Sequence, residues 1–236
     1  MTMQYRQIDT REWAAAGAAL DANGCVVMKG LLADDICARL QCDYVRDDLF
    51  RSRVIMSRHG FGRGEYKYFS YPLPEIVVSL RTSLYPPLAE IANRWNEAIG
   101  VANRYPALHS DFLEICHNVG QIKPTPLMLK YGVDDFNCLH QDRYGEILFP
   151  LQVTVLLSEP GNEFEGGEFV LTEQRPRRQS RAEVVPLRRG DAVIFPVHQR
   201  PVRGVRGFHR VTMRHGVSLV RAGHRHTLGI IFHDAA

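Results

Sequence analysis

The sequence predicts an α+β protein in which helices come first and an antiparallel β-sandwich or barrel follows. Three observations lead to this class. Up to Pro124, apolar residues recur mostly at helical spacing. Beyond Pro124, short β-rich runs alternate with turn signals, and no long helical pattern separates them. The runs are residues 126–131, 151–158, 166–172, 182–187, 191–196, 216–221 and 226–233.

The N-terminal half is expected to be mainly helical. The first helix has Thr10 as its expected N-cap and Gly24 just past its end. Residues 58–74 are rich in glycine and aromatic side chains and predict an ordered loop or irregular hairpin. The predicted helices are residues 10–23, 33–50, 85–99 (with prolines in its first turn) and 109–118. A short strand is predicted at 25–30.

Length and composition predict one globular domain over residues 1–236. Residues 1–123 would form a helical support and lid region, and residues 124–236 the core. Hydrophobic residues make up 45% and charged residues 23%, which excludes a disordered chain. No apolar run approaches the ~18 residues of a membrane helix, and the polar segment at residues 1–13 is not expected to act as a secretory signal. Five cysteines without a CxxC spacing predict reduced thiols and a cytoplasmic protein.

Positive charge is concentrated near the C-terminus. Residues 175–225 contain thirteen arginines and only two acidic residues, although the net charge of the whole chain is +3. A preference for arginine over lysine can follow from codon usage, but codon usage does not explain clustering. The cluster indicates an anionic partner held by guanidinium groups.

The segment around residue 140 contains a candidate metal site. His140 and Asp142 are two residues apart, so on a strand both side chains would point to the same face. A third ligand from His215 would complete two histidines and one carboxylate, the facial set typical of non-haem Fe(II) oxygenases. His209, six residues earlier, is the rival third ligand.

Arg225 follows His215 by ten residues. With a turn at 222–223, His215 and Arg225 would lie on consecutive strands and face the barrel interior. A buried arginine needs an anionic partner. A dicarboxylate that chelates iron through its keto-acid end would supply one, because its distal carboxylate can accept a bidentate hydrogen bond from the guanidinium.

With these residues in place, the chain resembles Fe(II)/2-oxoglutarate-dependent dioxygenases of the double-stranded β-helix (jelly-roll) fold. The resemblance covers about residues 124–234 and rests on HQD (140–142), GGEF (166–169), GDAVIF (190–195), HGVS (215–218) and the offset to Arg225. It implies a jelly-roll core with N-terminal helices packed on it, and Fe(II), 2-oxoglutarate and O₂ as cofactor and cosubstrates. It also implies His140, Asp142 and His215 as iron ligands and Arg225 as the 2-oxoglutarate anchor.

Two branches of this superfamily share further features with the chain. Tyr131 matches a tyrosine that donates its hydroxyl to 2-oxoglutarate in AlkB-type members, although Leu129 stands where those members have asparagine. The spacing from His215 to Arg225 is similar to that of prolyl hydroxylases. As a whole the chain resembles the bacterial Oxygenase-NA family, predicted to modify nucleic acids, through GRGEYKYF (62–69), RPVRG (200–204) and RHTLGIIFHDA (225–235).

The resemblance and the arginine cluster together predict oxidative dealkylation of alkylated bases in DNA or RNA, a DNA-repair activity. A protein or amino-acid hydroxylase of the prolyl type is the alternative, and a non-catalytic 2-oxoglutarate or metal sensor is the second. No membrane partner is expected, and the oligomeric state stays open. Aromatic and cationic side chains suit stacking on bases and binding of phosphates. The predicted substrate residues are Arg63, Tyr66, Lys67, Tyr68, Arg143, Arg203 and Arg206.

Overall fold

The computed structural model describes residues 5–143, 145–205 and 207–236. Helices α1–α4 span Thr10–Asn23, Asp34–Asp43, Glu75–Ala98 and His109–Asn118. Strands β1–β8 span Val26–Met28, Phe50–Ile55, Gly62–Arg63, Glu65–Phe69, Leu127–Tyr131, Phe136–His140, Leu151–Leu156 and Phe164–Gly166. Strands β9–β15 span Phe169–Gln174, Arg181–Val185, Ala192–Pro196, Gln199–Gly204, Gly207–Val217, Val220–Gly223 and Arg225–Ile230.

Two antiparallel sheets form the jelly-roll core, which confirms the predicted fold class. The larger sheet has the order β1-β11-β7-β15-β5-β4-β2. The smaller sheet has the order β10-β9-β13-β6-β3, with β12 paired to β13. Strands β14 and β8 form a separate two-stranded ribbon. None of the described helices is long and apolar enough to cross a membrane.

The larger sheet is apolar on both faces because both faces are covered. Residues such as Val153, Ile194 and Leu228 join the four helices in one hydrophobic cluster. Val193 and Phe195 point the other way, into the interior between the sheets. The apolar runs of β7 and β11 follow from this double burial, whereas β9 alternates between buried and half-buried residues.

Helix α1 has the predicted bounds but a different N-cap. Asp9, not Thr10, precedes the first turn, and its carboxylate accepts a hydrogen bond from the Glu12 amide at 2.8 Å. The Glu12 side chain in turn accepts from the Asp9 amide and completes a capping box. Gly24 ends the helix at φ 81°, as predicted.

The predicted helix at 33–50 is wrong in its second half. Helix α2 ends at Asp43, a 3-10 turn follows at Asp47–Leu49, and Phe50 begins β2. Phe50 is opposite Phe69 of β4, and the two rings stack with centroids 4.8 Å apart. Cross-strand pairing of this kind outweighs the helical propensity of the local sequence.

The predicted helix at 85–99 is the second half of a longer one. Helix α3 begins at Glu75, so Pro86 and Pro87 lie in its interior instead of its first turn. Each interior proline costs a helix about 3 kcal/mol, but an apolar stripe continues across the prolines and each large side chain buried there contributes about 1.5–3 kcal/mol. The stripe includes Ile76, Leu80, Leu84 and Leu88.

The predicted loop or hairpin at 58–74 and the predicted strand at 216–221 are each divided between two strands in the structure. Residues 58–74 contribute β3 to the smaller sheet and β4 to the larger one, so this segment crosses between the sheets. The run at 216–221 is split between β13, which ends at Val217, and β14, which begins at Val220. The strand β12 was not predicted, and it extends β13 into a long hairpin.

A buried ion pair fastens the C-terminus to the helical layer. Arg81 of α3 donates to the carboxylate of Asp234 at 3.0 Å and to the carbonyl oxygen of Phe232 at 2.8 Å. Tyr71 donates its hydroxyl to the same carboxylate at 2.7 Å. Both charged side chains are almost completely buried. Because β15 leads directly into this contact, the pair fixes the end of a core strand.

We expect Asp234→Ala to lower the free energy of unfolding by about 3–5 kcal/mol, because it leaves the Arg81 charge buried and unpaired. Urea denaturation at pH 7 measures the change. The matched control is Asp48→Ala, which removes an exposed pair with Arg46 and should cost less than about 1 kcal/mol. Equal losses for the two variants would contradict the role given to burial.

Lowering the pH is also expected to reduce the free energy of unfolding, because His109 is buried in its neutral form. Burial, with a further effect from Arg81, lowers the pKa of His109 to about 4, whereas an unfolded histidine titrates near 6.5. The unfolded state therefore binds the extra proton first, and the stabilisation present above about pH 6.5 is lost towards pH 4, by up to about 1.4 kcal/mol per pH unit. His109→Gln, which can still donate to the Phe232 carbonyl, should flatten the pH dependence of urea midpoints. An unchanged slope would rule this out.

Candidate active site

Strand pairing brings the predicted metal ligands together. His140 is the last residue of β6, and His215 lies directly opposite it on β13. Gly216 permits this close pairing, since a Cβ there would meet the Asn137 carbonyl oxygen at 2.6 Å. Asp142 is not on the strand, as the two-residue spacing suggested, but in the loop that follows. The loop still turns its carboxylate towards both imidazoles.

The three side chains form a compact donor set. The Nε2 atom of His140 lies 3.4 Å from one carboxylate oxygen of Asp142, and the Nε2 atom of His215 lies 3.3 Å from the other. The candidate ligand atoms all lie within 4.8 Å of one another. Two imidazole nitrogens and one carboxylate oxygen, with the remaining positions open, match the donor set that non-haem Fe(II) prefers. His209 is not part of this group.

Neighbouring groups orient the ligands. The Nδ1 atom of His140 lies 2.8 Å from the carbonyl oxygen of Cys138, so its Nε2 is left to accept a cation. Gln152 of β7 donates from Nε2 to Asp142 at 2.8 Å and is itself buried. Such partners fix the orientation of ligands and commonly affect metal affinity. The sequence analysis missed Gln152, although an amide within the apolar run LQVTVLL is a usable signal.

The charges at the site suit a cation. Burial alone would raise the pKa of Asp142, but the imidazoles of His215 and His140 outweigh it and hold this pKa well below its ordinary value. Burial also lowers the pKa of His140, but its hydrogen bond with Asp142 outweighs this effect and raises it. The pKa of His215 is lowered, chiefly by burial and then by His140. A carboxylate thus stays ionised between two imidazoles, where a metal ion can replace a proton.

Arg225 approaches the cavity from the other sheet. It begins β15 in the larger sheet, opposite Tyr131 of β5, whereas His215 belongs to the smaller sheet. The expected turn at 222–223 is replaced by β14, but both side chains do face the interior. Arg225 is 1% exposed, and its guanidinium lies over the rings of Tyr131 and Phe164 at 5.6 and 5.9 Å.

Arg225 carries a buried charge that the described part of the chain does not neutralise. Among the described residues, no carboxylate lies within 4 Å of its guanidinium. Burial lowers its pKa to about 10, so the side chain is still charged at neutral pH. Gly167 makes room for it, because a Cβ there would meet the Arg225 Cδ at 2.9 Å. An anionic ligand is the partner that such a charge requires.

Tyr131 is completely buried beside Arg225. Its hydroxyl accepts a hydrogen bond from Asn137 at 3.3 Å, and its pKa is raised, mainly by burial. The phenol therefore stays protonated, and its hydroxyl can donate a hydrogen bond to a ligand in the cavity.

A cavity of about 280 Å³ connects the metal ligands with Arg225 and Tyr131. Its lining combines a few polar side chains with a larger apolar part, as in most small-molecule sites. The apolar part includes Phe61, Tyr66, Leu127, Leu129 and Ile231.

The predicted substrate residues on β4 separate into two groups. Tyr66 lines the cavity. Tyr68 is 9% exposed and packs with Leu127 and Ile231 under the guanidinium of Arg51. Lys67 points to the other face of the sheet, where it donates to Asp47 at 2.7 Å. The structure therefore gives Lys67 a structural contact and not a place in the cavity, since successive strand residues alternate between faces.

The predicted arginines are also dispersed. Arg63 is exposed on β3 opposite Phe136, and Arg143 is exposed directly after Asp142. Arg203 lies on β12 opposite Phe208, close to the tip of the hairpin and far from the ligand set. Arg206 lies outside the described residues.

Solved structures with a similar fold include prolyl hydroxylases. A Pseudomonas putida prolyl-4-hydroxylase is 15% identical, with 95% of this chain and 99% of that chain covered and a TM-score of 0.54. A Trichoplax adhaerens prolyl hydroxylase, solved with a hypoxia inducible factor peptide fragment, is 12% identical, with 93% and 87% covered and a TM-score of 0.57. At this identity the likeness concerns the fold.

The jelly-roll fold and the His140–Asp142–His215 group define a 2-oxoglutarate-dependent non-haem Fe(II) dioxygenase, with O₂ as the second cosubstrate. A family model narrows the class: Oxygenase-NA, described as an oxygenase catalysing oxidative methylation of damaged DNA, matches residues 64–235. The chain belongs to the Oxygenase-NA family. The Mycobacterium tuberculosis protein Rv2227 is 47% identical over 168 residues, which are 71% of this chain and 72% of that protein.

The donor set predicts how metal binding responds to substitution. We expect His215→Ala to abolish binding of Co(II), used as an air-stable substitute for Fe(II), because one of three protein ligands is lost. Gln152→Leu should weaken binding by about 10–100-fold through loss of the hydrogen bond to Asp142. Calorimetric titration measures both. The control is His209→Ala, which should bind like the unsubstituted protein, and loss of binding in this control would contradict the assignment.

Proposed function

We propose that this dioxygenase removes alkyl groups from nucleic-acid bases, with iron held by His140, Asp142 and His215. The use of 2-oxoglutarate is supported by one observation: the buried Arg225 guanidinium lines the same cavity as the candidate metal ligands. A dicarboxylate cosubstrate fits both ends of this cavity, because one carboxylate can reach the metal and the other can accept hydrogen bonds from Arg225.

The residues around the cavity have separable tasks in this proposal. Arg225 binds the distal carboxylate of 2-oxoglutarate, and Tyr131 donates a hydrogen bond to it. Gln152 keeps Asp142 oriented towards the metal. When bound, Fe(II) supplies, with O₂ and 2-oxoglutarate, the oxidation of N–CH₃ to N–CH₂OH, which releases formaldehyde, while 2-oxoglutarate becomes succinate and CO₂.

The aromatic lining of the cavity supports a planar substrate. Phe61 and Tyr66 contribute aromatic rings, against which a base that has left its stack can bind. Arg63 and Arg143 are exposed on neighbouring segments and would contact phosphates. The description of the family, which names damaged DNA, supports the same substrate class.

A prolyl-type hydroxylase is the second candidate. The ten-residue spacing between His215 and Arg225 favours it, and prolyl hydroxylases are among the proteins of similar fold. A metal sensor without turnover would require cosubstrate binding with no succinate formed.

The first test uses anaerobic absorption spectra with Fe(II), before and after 2-oxoglutarate. We expect a visible charge-transfer band that requires cosubstrate, is lost in His215→Ala and needs more 2-oxoglutarate in Arg225→Lys. Loss of a charged bidentate contact costs about 1.5–3 kcal/mol, which is roughly 10–150-fold in affinity. Absence of a band in iron-loaded protein would contradict the cosubstrate site.

The substrate class is tested by product analysis. N-methylated single-stranded and duplex oligonucleotides should release formaldehyde and succinate in equal amounts. Proline-containing peptides serve as the comparison. Succinate formation coupled to peptides and not to oligonucleotides would favour the prolyl-type alternative, and 2-oxoglutarate binding without turnover of either substrate would favour the sensor.

A further inference from the structure

Two long hairpins extend beyond the smaller sheet, and their tips lie side by side. One hairpin is β9–β10, and the other is β12–β13. A shallow open groove runs between them, which we call the tip groove. Residues of both hairpins line it, including Arg175, Pro176, Arg178, Val205, Phe208 and His209.

The tip groove carries positive charge that nearby carboxylates do not balance. Arg178 lines the groove, and Arg177 and Arg203 lie beside it on the same two hairpins. All three are exposed, and within the described ranges no carboxylate lies within 4 Å of their guanidinium groups. Arg175 does contact Glu173 at 3.0 Å, but Glu173 is buried and also pairs with the buried Arg200. One carboxylate is thus shared between two guanidinium groups, and the excess charge is left at the surface.

The same groove exposes apolar surface. Phe208 is 49% exposed on β13, and Val205 at the turn is fully exposed. An aromatic ring among arginines suits a nucleic-acid strand, because bases stack on aromatic faces while guanidinium groups bind phosphates. An acidic polypeptide would use the charges but not the ring.

Strand register fixes where the tip groove lies relative to the candidate iron site. Strand β9 runs from Phe169, opposite Val217, to Gln174, opposite Thr212. Its tip therefore lies beyond Thr212, in the direction in which β6 continues past His140 into the loop of Asp142. Phe208 is seven residues from His215 along β13, which at 3.3 Å per residue is roughly 23 Å.

We propose that the tip groove binds the phosphate backbone of a nucleic acid at a distance from the base that enters the iron site. The proposal rests on the nucleic-acid substrate given above. At about 3.4 Å of helix rise per nucleotide of one strand, 23 Å corresponds to about seven nucleotides. The groove thus adds affinity only for strands that extend about this far beyond the target base, and it takes no part in the chemistry.

The binding experiment uses the full chain and a fluorescent, unmodified 20-nucleotide DNA, single-stranded and duplex. The test variant is Arg178→Gln with Arg203→Gln. The matched control, Arg11→Gln with Arg39→Gln, removes the same charge from exposed arginines of α1 and α2. Fluorescence anisotropy between 50 and 200 mM salt gives the slope of log affinity against log salt.

We expect the slope to become shallower by about 2 in the test variant, because each lost phosphate contact removes about 1. Over this fourfold salt range the affinity of the test variant should then change about 16-fold less than that of the unsubstituted protein. The control variant should keep the original slope. Equal slopes for the two double variants overturn the proposal. The proposal is also overturned if the test variant binds polyglutamate more weakly than the unsubstituted protein but binds DNA equally well.

A length series separates this proposal from the proposed function. In methylated oligonucleotides, the test variant should raise KM for a 20-mer, leave KM for a 4-mer unchanged and leave kcat unchanged for both. If DNA binds through the tip but no formaldehyde forms, the docking surface stands and the dealkylation is wrong. If formaldehyde forms and the test variant does not change KM for the 20-mer, the dealkylation stands and the docking surface is wrong.

Discussion

The pairing of β6 with β13 is the constraint on which the candidate active site depends. It sets His140 opposite His215 in two strands that are 75 residues apart in sequence. Side chains alternate between faces, so a slip of one residue in this register would turn an imidazole out of the cavity. Gly216 allows the strands to approach, and the hydrogen bond from His140 to the Cys138 carbonyl then selects the ring nitrogen that faces the ligand set.

The second constraint is the unneutralised charge of Arg225. A chain that buried this guanidinium without an anionic ligand would lose stability, and replacement by an apolar residue would relieve the cost. Arg225 begins β15 of the larger sheet, whereas His140 and His215 lie on strands of the smaller sheet, and all three side chains line one cavity. The helical layer holds the larger sheet in place through the shared hydrophobic cluster and the Arg81–Asp234 pair.

Much of the fold could be predicted because its signals are local. The bounds of α1 and α4, and most strands after Pro124, follow from periodicity and turn residues. The start of α3 could not be found this way, since Pro86 and Pro87 resemble a helix beginning and only packing on the sheet compensates for them. Strand β12 was missed for a similar reason: its sequence is rich in arginine, and it becomes a strand because β13 provides a partner.

The chemistry available to this protein is already present in its amino-acid order: a His-x-Asp pair, a later histidine and an arginine ten residues beyond it. These are residue types and spacings, which a chain carries before it folds. Folding brings His215, and not His209, beside His140, turns the Asp142 carboxylate towards both imidazoles from a loop, and adds Gln152 from another strand. In the fold, Lys67 faces away from the cavity and Arg203 lies far from the candidate metal ligands. The reason is physical: distances between residues on different strands depend on register and sheet packing, and neither is encoded in local spacing.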